Sequence, residues 1–387
     1  MKILFCNYEY PPLGGGGGVV MAALARELAQ RHEVTVLTSQ AAGLPARETD
    51  RGVRLVRVPV FFRRQLAVAN FPSMLAYVPM ASLRGLGFAR GAFDVINTHF
   101  AVPTGPVGQV LAAFHGVPNV LSIHGGDLYD PSKKLSPHRH AWLRAAVRGL
   151  LRAADAVVGQ SRNTVGHVES IYGVKRPVGL IPLGIERPPA AVPAARAAFG
   201  VPADAFVLVT VGRLVARKAT VQLLRALQGA EGAAAHLLIV GDGPDAAEIR
   251  RAADELGLRD RVHLLGQVSD ERKYQALACA DAFASTSQHE GFGLVFLEAM
   301  AFGLPVICYD HGGQTDFLTS GTTGHVLPLN DLAAFTRAIL DLHANSQRRL
   351  AMGRYNREAV EQFFIDRCAE RYEAVFRDAI QQRAGGK

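Results

Sequence analysis

The sequence predicts an α/β protein built on two doubly wound parallel sheets. Short β-branched runs alternate with helical patterns along both halves of the chain, an order that is typical of parallel sheets covered by helices. The length of 387 residues fits two domains of roughly 150–200 residues each better than a single core. A hydrophobic content of 49% with 39 glycines is typical of such folds, which need many tight strand–helix turns.

The first half contains predicted strands with helices between them. Its opening run, Met1 to Asn7, is apolar but meets polar residues at once, so it is too short for a signal-peptide core and is interpreted as a first buried strand. The strands are predicted at residues 3–7, 33–38, 53–59, 94–98, 119–124 and 156–159, and the helices at residues 21–30, 106–114 and 139–153.

The second half repeats this order and ends in a long helix. A linker is expected at residues 188–195, in a Pro/Ala-rich segment between a first domain of residues 1–187 and a second of residues 196–367. Two such domains are expected to face each other across a cleft lined by the carboxyl ends of their strands. Strands are predicted at residues 206–212, 236–241, 262–265, 282–285, 305–308 and 325–327, and helices at residues 221–228, 246–256, 272–278, 294–301 and 357–381.

The net charge of +8 is unevenly distributed. Residues 1–187 hold 21 Lys/Arg against 11 Asp/Glu, and between Asp50 and Asp94 there are seven arginines and no acidic residue. This stretch, with Arg63 and Arg64, is either a solvated face beside ordinary core or a surface for an anionic acceptor or an anionic membrane leaflet. Nucleic acid is not expected as a partner, because no recognisable binding module accompanies the charge.

The four cysteines are scattered, with neither a CxxC pair nor metal-ligand spacing. They are predicted to be buried, reduced thiols of a cytoplasmic protein. The basic first half of the chain can hold such a protein at the inner face of the membrane. No apolar run approaches the ~20 residues of a membrane span.

A run of glycines, residues 14–18, lies between the first strand and the first helix. A nicotinamide-dinucleotide site is the obvious alternative, but the turn is loose and the second strand ends at Gln40 without a carboxylate for a ribose hydroxyl. The run, including Gly16 and Gly17, is instead predicted to form a mobile loop that closes over a ligand.

Two carboxylates define the most informative motif, Glu290-Gly-Phe-Gly-Leu-Val-Phe-Leu-Glu298. Eight residues of helix would separate them by about 12 Å, beyond the roughly 5–9.5 Å between the paired carboxylates of a glycosidase. The spacing therefore suggests one extended polar ligand held at two points. Upstream, Arg213, Arg217 and Lys218 follow a predicted strand, where cations are well placed for a diphosphate.

Together with Leu238-Ile-Val-Gly-Asp-Gly-Pro244 and Gly312-Gly313, this series resembles the retaining glycosyltransferases of family four, which have the GT-B fold. The resemblance covers nearly the whole chain. It implies a nucleotide-diphosphate sugar as donor, a glycan, lipid-linked or other hydroxyl acceptor, and retention at the anomeric carbon. It also implies that the chain end, from about residue 368, packs back onto the first domain.

The resemblance further implies residue roles in the second domain. Glu298 would grip the nucleotide ribose hydroxyls, and Glu290 would lie near the transferred sugar. Arg213 and Lys218 would bind the diphosphate and stabilise the leaving group. Backbone amides near Phe292 and Gly293 would contact sugar or phosphate oxygens, and the segments containing Gly241 and Val268 would border the base.

In the first domain, His124 matches a histidine facing the donor sugar, and Asp127 is a candidate for the acceptor side. His99 and His115 are interpreted as structural. The sequence departs from the family at Ala219, where a glycine usually follows the lysine, and at Asp316, where a glutamate is common.

No acidic pair of the DxD type stands beside the cations, so neither a metal nor another cofactor is expected. Two other classes stay open. A nucleotide-sugar epimerase would share the fold, although its typical motifs are absent, and a non-catalytic nucleotide-sugar-binding protein would bind the donor without releasing nucleotide.

Overall fold

The computed structural model describes residues 1–61, 70–131, 135–189 and 196–385. The chain forms two compact units, one of Met1–Glu186 with Phe363–Lys387 and one of Arg187–Gln362. Among the described residues, no helix is both long enough and apolar enough to cross a membrane.

The first unit is built on one sheet. Its strands are β1 (Lys2–Cys6), β2 (Glu33–Gln40), β3 (Arg47–Asp50), β4 (Val53–Pro59), β5 (Val95–His99), β6 (Asn119–Ile123), β7 (Ala156–Gly159) and β8 (Gly179–Leu180), in the spatial order β3-β4-β2-β1-β5-β6-β7-β8. Only the edge strand β3 runs antiparallel to its described neighbour. Four of the five β1 residues are buried, because apolar clusters lie on both faces of the sheet.

Helices cover both faces of this sheet. The first five along the chain are α1 (Gly16–Ala29), α2 (Phe71–Leu86), α3 (Gly105–His115), α4 (Ala141–Ala153) and α5 (Arg162–Ser170). Two of them begin where the sequence supplies a capping side chain. The Asn70 side chain accepts a hydrogen bond from the Ser73 amide before α2, and the Ser161 hydroxyl accepts one from the Thr164 amide before α5.

The second unit has a sheet whose described strands are all parallel. They are β9 (Val207–Val211), β10 (His236–Val240), β11 (Val262–Gly266), β12 (Ala282–Ser285), β13 (Val306–Tyr309) and β14 (Gly324–Leu327), in the spatial order β11-β10-β9-β12-β13-β14. Its helices are α6 (Thr220–Gly229), α7 (Ala246–Glu255), α8 (Asp270–Cys279), α9 (Leu294–Ala301), α10 (Leu332–Ala344) and α11 (Ser346–Ala359). The chain order reverses at β9, which pairs with both β10 and β12.

The last helix, α12 (Ile365–Gly385), returns to the first unit. The prediction of one continuous helix over residues 357–381 is wrong, because Val360–Phe363 forms a 3₁₀ turn. The Ile185 amide donates to the Phe363 carbonyl at 3.0 Å, and the Ile365 amide donates to the Ile185 carbonyl at 2.9 Å. These bonds to Ile185 replace hydrogen bonds within a helix and mark where the chain returns to the first unit. The return begins before the predicted residue 368.

The predicted fold class, two Rossmann-like parallel sheets, is confirmed. The short strands β3 and β8 and the helices α2, α5, α10 and α11 were not predicted from the sequence. Helix α2 contains two prolines and begins beside the arginine-rich stretch, so its pattern was not recognised as helical. The assignment of acceptor binding to the first domain and donor binding to the second stays a prediction.

Candidate active site

The carboxyl ends of the central strands gather most of the predicted residues of the second unit. The loops after β9 and β12 diverge because the chain order reverses between these strands, and parallel sheets bind ligands at such positions. Arg213 and Lys218 follow β9, Gly241 follows β10, and Glu290 follows β12.

Glu290 is a buried carboxylate held by two cations. Its residue is 7% exposed. The Lys218 ammonium donates to Oε1, and the Arg217 guanidinium donates to Oε2 at 3.3 Å. Burial alone would raise the pKa of Glu290, but the charges of Lys218 and Arg217 lower it to about 2. Glu290 is therefore ionised at neutral pH and has no proton to give as a general acid.

Backbone bonds fix the loops around Glu290. The Gly313 amide donates to the Glu290 carbonyl at 2.8 Å, and the Gln288 amide donates to the Arg217 carbonyl at 2.8 Å. Gly312 has a φ of 132°, and a Cβ there would overlap the Glu290 carbonyl oxygen. The loops after β9, β12 and β13 thus hold one another in place.

Phe292 and Gly293 form the entry to α9. Phe292 is 3% exposed and packs on Phe317, with 5.1 Å between ring centroids. Gly293 has a φ of 98°, a conformation that glycine adopts without strain. A glycine has no side chain to cap the helix, so the first amides of α9 can donate to an anionic or hydroxyl oxygen.

Glu298, on α9, pairs with Lys273 on α8. The Lys273 ammonium lies 2.8 Å from Glu298 Oε1 and 3.0 Å from Asp270 Oδ1. Burial alone would lower the pKa of Lys273, but the Glu298 carboxylate beside it raises the pKa above its usual range. Among the described residues, Oε2 of Glu298 has no hydrogen-bond partner, so this oxygen can accept a bond from a ligand hydroxyl.

The assumed helical separation of the two glutamates is wrong. Helix α9 begins at Leu294, and Glu290 lies outside it in a bridge with Gly312. The distance of about 12 Å drawn from helical rise therefore does not apply. Each carboxylate has its own lysine, Lys218 for Glu290 and Lys273 for Glu298, and this pairing is the better argument against a hydrolytic acid–base pair.

The other predicted residues of this unit lie along the same edge. The Gly241 amide donates to the Gly266 carbonyl at 2.9 Å, and a Cβ at Gly241 would overlap the Gly212 carbonyl oxygen. The backbone after β10 is therefore in contact with the ends of both neighbouring strands, β11 and β9. Val268 is half-buried in the turn after β11. Arg213 is exposed, and within the described ranges it has neither an ion pair nor a hydrogen bond.

In the first unit, His124 follows β6 and is 7% exposed. Burial lowers its pKa to about 4, so its imidazole is neutral at pH 7. Asp127 Oδ1 accepts a hydrogen bond from the His124 amide at 2.9 Å, and Oδ2 accepts one from the Ala101 amide at 2.6 Å. Asp127 therefore ties the loops after β5 and β6 together, and its acceptor-side role stays a prediction.

The expectation that the glycine run forms a mobile loop is wrong. Gly16 and Gly17 belong to the first turn of α1. A Cβ at Gly17 would lie 2.5 Å from the ring tip of Phe100, whose own ring centroid lies 4.4 Å from that of His124. Packing on Phe100 therefore requires glycine at position 17, whereas a Cβ at Gly15 would meet nothing within 4 Å. Donor contact by these glycines stays a prediction.

Among the described residues of the arginine-rich stretch, Arg57 does not contribute to an exposed basic surface. Arg63 and Arg64 lie outside the described residues. Arg57 is 3% exposed and forms a 2.6 Å salt bridge with Glu48, so it serves the fold. Arg54 donates to the Thr35 hydroxyl at 3.2 Å.

Besides Lys218, two cations contact the site glutamates: from the sequence, Arg217 was named only among the cations for a diphosphate, and Lys273 was not named. Arg217 stands in the quoted motif beside Lys218, and the adjacent charge was the available signal. Lys273 gave no signal, because its contact with Glu298 depends on how α8 packs beside α9. In the part of the chain that the structure describes, no three His, Cys, Asp or Glu side chains are grouped to hold a metal ion.

The chain matches known proteins along most of its length. Residues 14–187 match the family described as Glycosyltransferase Family 4, and residues 192–359 match Glycosyl transferases group 1. The N-acetyl-alpha-D-glucosaminyl L-malate synthase of Bacillus anthracis is 26% identical over 100% of both chains. The 2-deoxystreptamine N-acetyl-D-glucosaminyltransferase of Streptomyces fradiae is 30% identical over 96% of this chain and 93% of the relative.

Solved structures agree. The sucrose-phosphate synthase of Thermosynechococcus elongatus has a TM-score of 0.83 and 25% identity over 98% of this chain and 99% of its own. The matches span both units and include the motif from Glu290 to Glu298. This chain therefore belongs to glycosyltransferase family four and is a glycosyltransferase with the GT-B fold.

Proposed function

We propose that this protein transfers a hexosyl-type sugar from a nucleotide-diphosphate sugar to an acceptor hydroxyl, with retention at the anomeric carbon. The observation that carries the proposal is the buried Glu290 carboxylate between Lys218 and Arg217, at the strand ends beside the uncapped start of α9. In this cluster two cationic side chains already bind the oxygens of a carboxylate, and a diphosphate is bound by the same kind of contact.

The reaction breaks the bond between the anomeric carbon and the diphosphate oxygen and forms a bond to the acceptor oxygen. The acceptor proton passes to the departing phosphate oxygen on the same face of the sugar. Lys218, Arg217 and the uncompensated Arg213 stabilise the negative charge as it develops on the diphosphate. The alpha-linked product in the name of the Bacillus anthracis relative supports retention.

Glu298 is the proposed ribose contact. Its Oε1 is held by Lys273 at 2.8 Å, which fixes the carboxylate and leaves Oε2 to accept from a ribose hydroxyl. Gly241 and Val268 lie on the neighbouring loops and are the proposed border of the base. Because the cations of the chain supply the positive charge, the proposed reaction needs no metal ion.

A nucleotide-release assay with UDP-, GDP- and ADP-sugars tests this function and identifies the base. With its acceptor, the protein should release nucleotide equally well in EDTA. Removing one charge-stabilising donor typically costs on the order of 10²–10³ in turnover, and we expect Lys218→Ala and Arg213→Ala to fall in or near this range. Arg259→Ala is the matched control. The Arg259 side chain lies in the loop after α7, is 85% exposed, and is 3.7 Å from the Asp254 carboxylate.

Four results would count against the proposal. Full activity of both Lys218→Ala and Arg213→Ala would remove their role, and loss of activity in EDTA would reintroduce a metal. Isomerisation of the donor sugar without nucleotide release would favour the epimerase, and binding without either reaction would favour a nucleotide-sugar-binding protein.

We further propose that the acceptor is anionic and that the protein makes peripheral contact with an anionic membrane surface. The proposed side of the membrane is the cytoplasmic one, where buried free thiols such as Cys6 stay reduced. The sequence has no acidic residue between Asp130 and Asp155. Helix α4 in this stretch exposes Arg144 and Arg152 together with the chain's only tryptophan, Trp142, which is 57% exposed. A helix that exposes both arginine and tryptophan is typical of elements that bind lipid headgroups.

Because Trp142 is the only tryptophan, its fluorescence reports this contact directly. The emission should shift to shorter wavelength with phosphatidylglycerol vesicles and not with phosphatidylcholine vesicles. The double variant Arg144→Gln/Arg152→Gln should weaken the shift, and Arg259→Gln should not. An unchanged spectrum with anionic vesicles, together with use of a neutral soluble acceptor, would end this part of the proposal.

A further inference from the structure

A chain of buried polar side chains leads to His124. Asn97 Nδ2 donates to the Val120 carbonyl at 2.9 Å and to the Ser122 hydroxyl at 2.9 Å. Asn97 Oδ1 lies 2.7 Å from His99 Nε2, and His99 Nδ1 lies 2.9 Å from His124 Nε2. Asn97 and His99 are 0% and 1% exposed, so His124, at 7%, is the member that reaches the surface of the unit.

These contacts determine where each proton lies. The Val120 carbonyl can only accept, so Asn97 Nδ2 must face it and Oδ1 must face His99. His99 Nε2 therefore carries a proton. Burial lowers the pKa of His99 well below its usual value, so the ring is neutral and its Nδ1 is an acceptor. His124 Nε2 is then the donor to His99.

The neutral His124 ring is left with a lone pair on Nδ1. This nitrogen is buried and has no hydrogen-bond partner among the described residues. A buried acceptor without a partner destabilises the protein, and a ligand that donates a hydrogen bond to it removes this cost.

Ring stacking holds this arrangement in place. His99 stacks between Phe5, at 5.4 Å, and His124, at 5.1 Å, and Tyr372 of α12 lies at 6.1 Å. Phe100 covers the His124 ring and has a φ of 70°, which is rare for a bulky residue and typical of functional sites. A 180° flip of either imidazole would put carbon atoms where these nitrogens lie and would break the hydrogen bonds.

We propose that Asn97 and His99 are positioning residues that hold His124 in one tautomer, with Nδ1 presented as the hydrogen-bond acceptor for a hydroxyl of the bound sugar. The proposal rests on the proposed function, because it takes a sugar as the ligand. It assigns His124 the role of a neutral acceptor and gives His99, interpreted from sequence as structural, a part in ligand recognition.

The first test is spectroscopic and does not depend on transfer. In protein labelled with ¹⁵N at its thirteen histidines, the signals are assigned with His99→Gln and His124→Asn. Between pH 6 and 8, both rings should be neutral and protonated at Nε2. UDP-glucose, GDP-mannose and ADP-glucose are then added in turn, and the sugar nucleotide that binds should shift the Nδ1 signal of His124. A proton on His124 Nδ1, or no Nδ1 shift with a bound sugar nucleotide, would overturn the proposal.

The second test compares two substitutions of His99. Glutamine can accept from His124 Nε2 and donate to Asn97 Oδ1, whereas leucine can do neither. His99→Leu should therefore raise the KM for the donor about tenfold, as expected for a lost hydrogen bond of about 1.4 kcal/mol, and His99→Gln should restore it. Equal KM values for the two variants, at equal Tm, would contradict the relay. If no donor releases nucleotide, the proposed function fails. The ¹⁵N signals of His99 and His124 still show which nitrogen of each ring carries the proton, because that measurement does not depend on transfer.

Discussion

Ala219 shows how one residue's backbone explains a departure from the family pattern. It directly follows Lys218 and has a φ of 46° and a ψ of 39°. This left-handed conformation costs a residue with a Cβ roughly 1–2 kcal/mol, which glycine avoids. The family's usual glycine at this position, noted from the sequence, therefore has a conformational reason.

We expect Ala219→Gly to stabilise the second unit by about 0.5–1 kcal/mol. Glycine removes the cost of the left-handed conformation, but part of this gain is lost because glycine loses more chain entropy on folding. Urea denaturation measures the change. Ala145→Gly, at an exposed position within α4, should instead destabilise the protein by about 1 kcal/mol. A loss of stability in both variants would show that Ala219 is not strained.

His124 should make stability depend on pH. Its pKa is about 4 in the folded protein, below the value of about 6.5 for an unfolded chain. Between these values the unfolded state binds a proton that the folded state does not, so stability present above pH 6.5 is lost as the pH falls towards 4. The shift corresponds to about 3 kcal/mol.

The urea midpoint as a function of pH measures this loss. His124→Gln should flatten the curve between pH 6.5 and 4, although His99 also contributes to it. His343→Gln, at an exposed position, is the control variant. A wild-type slope in His124→Gln would contradict the assignment.

At the scale of elements, the start of α1 depends on glycine at particular places. Gly17 lies in the first turn, against Phe100. Gly149 lies within α4, and a Cβ there would meet nothing within 4 Å. The two helical glycines therefore differ in what a side chain would meet.

Gly149→Ala should stabilise the protein by about 1 kcal/mol, the difference in helix propensity. Gly17→Ala should give no such gain, because the new methyl group must displace Phe100, and it should also weaken donor binding if Phe100 and His124 contact the sugar. Thermal unfolding and donor KM measure the two effects. An equal gain in both variants would show that Gly17 has room for a side chain.

The core positions of most strands and helices could be predicted because buried elements leave a periodic apolar pattern. Strands β1, β9 and β10, for example, are short apolar runs that match their predicted positions within a few residues. Element ends were less predictable, as at α1 and at the break before α12. There, contacts with Phe100 and with Ile185 decide where the helix begins, and neither contact leaves a local signal.

At the scale of the whole molecule, α12 completes a unit that the chain left at Glu186. Tyr372 and Phe376 join a core cluster with Phe5 on β1, and the Phe5 and Phe376 rings lie 6.4 Å apart at 80°. The first unit is therefore not complete until the end of the chain has been made.

Phe376→Ala should destabilise the first unit by about 3–5 kcal/mol, since the ring is fully buried. In calorimetry, the transition of the first unit should move to lower temperature while that of the second stays in place. Gln381→Ala, on the exposed face of the same helix, should change neither. A shift of both transitions would mean that the two units do not unfold independently.

The sequence by itself determined the two parallel sheets, the family and the glutamates and cations that carry its motif, because these depend on periodicity and on residues close together along the chain. Only the tertiary structure decided which charges meet: Glu290 with Arg217 and Lys218, and Glu298 with Lys273. It also turned the glycine run into the start of a helix and linked Asn97, His99 and His124. These features depend on contacts between loops and strands that are distant in sequence, and burial there sets both the charge states and the proton positions.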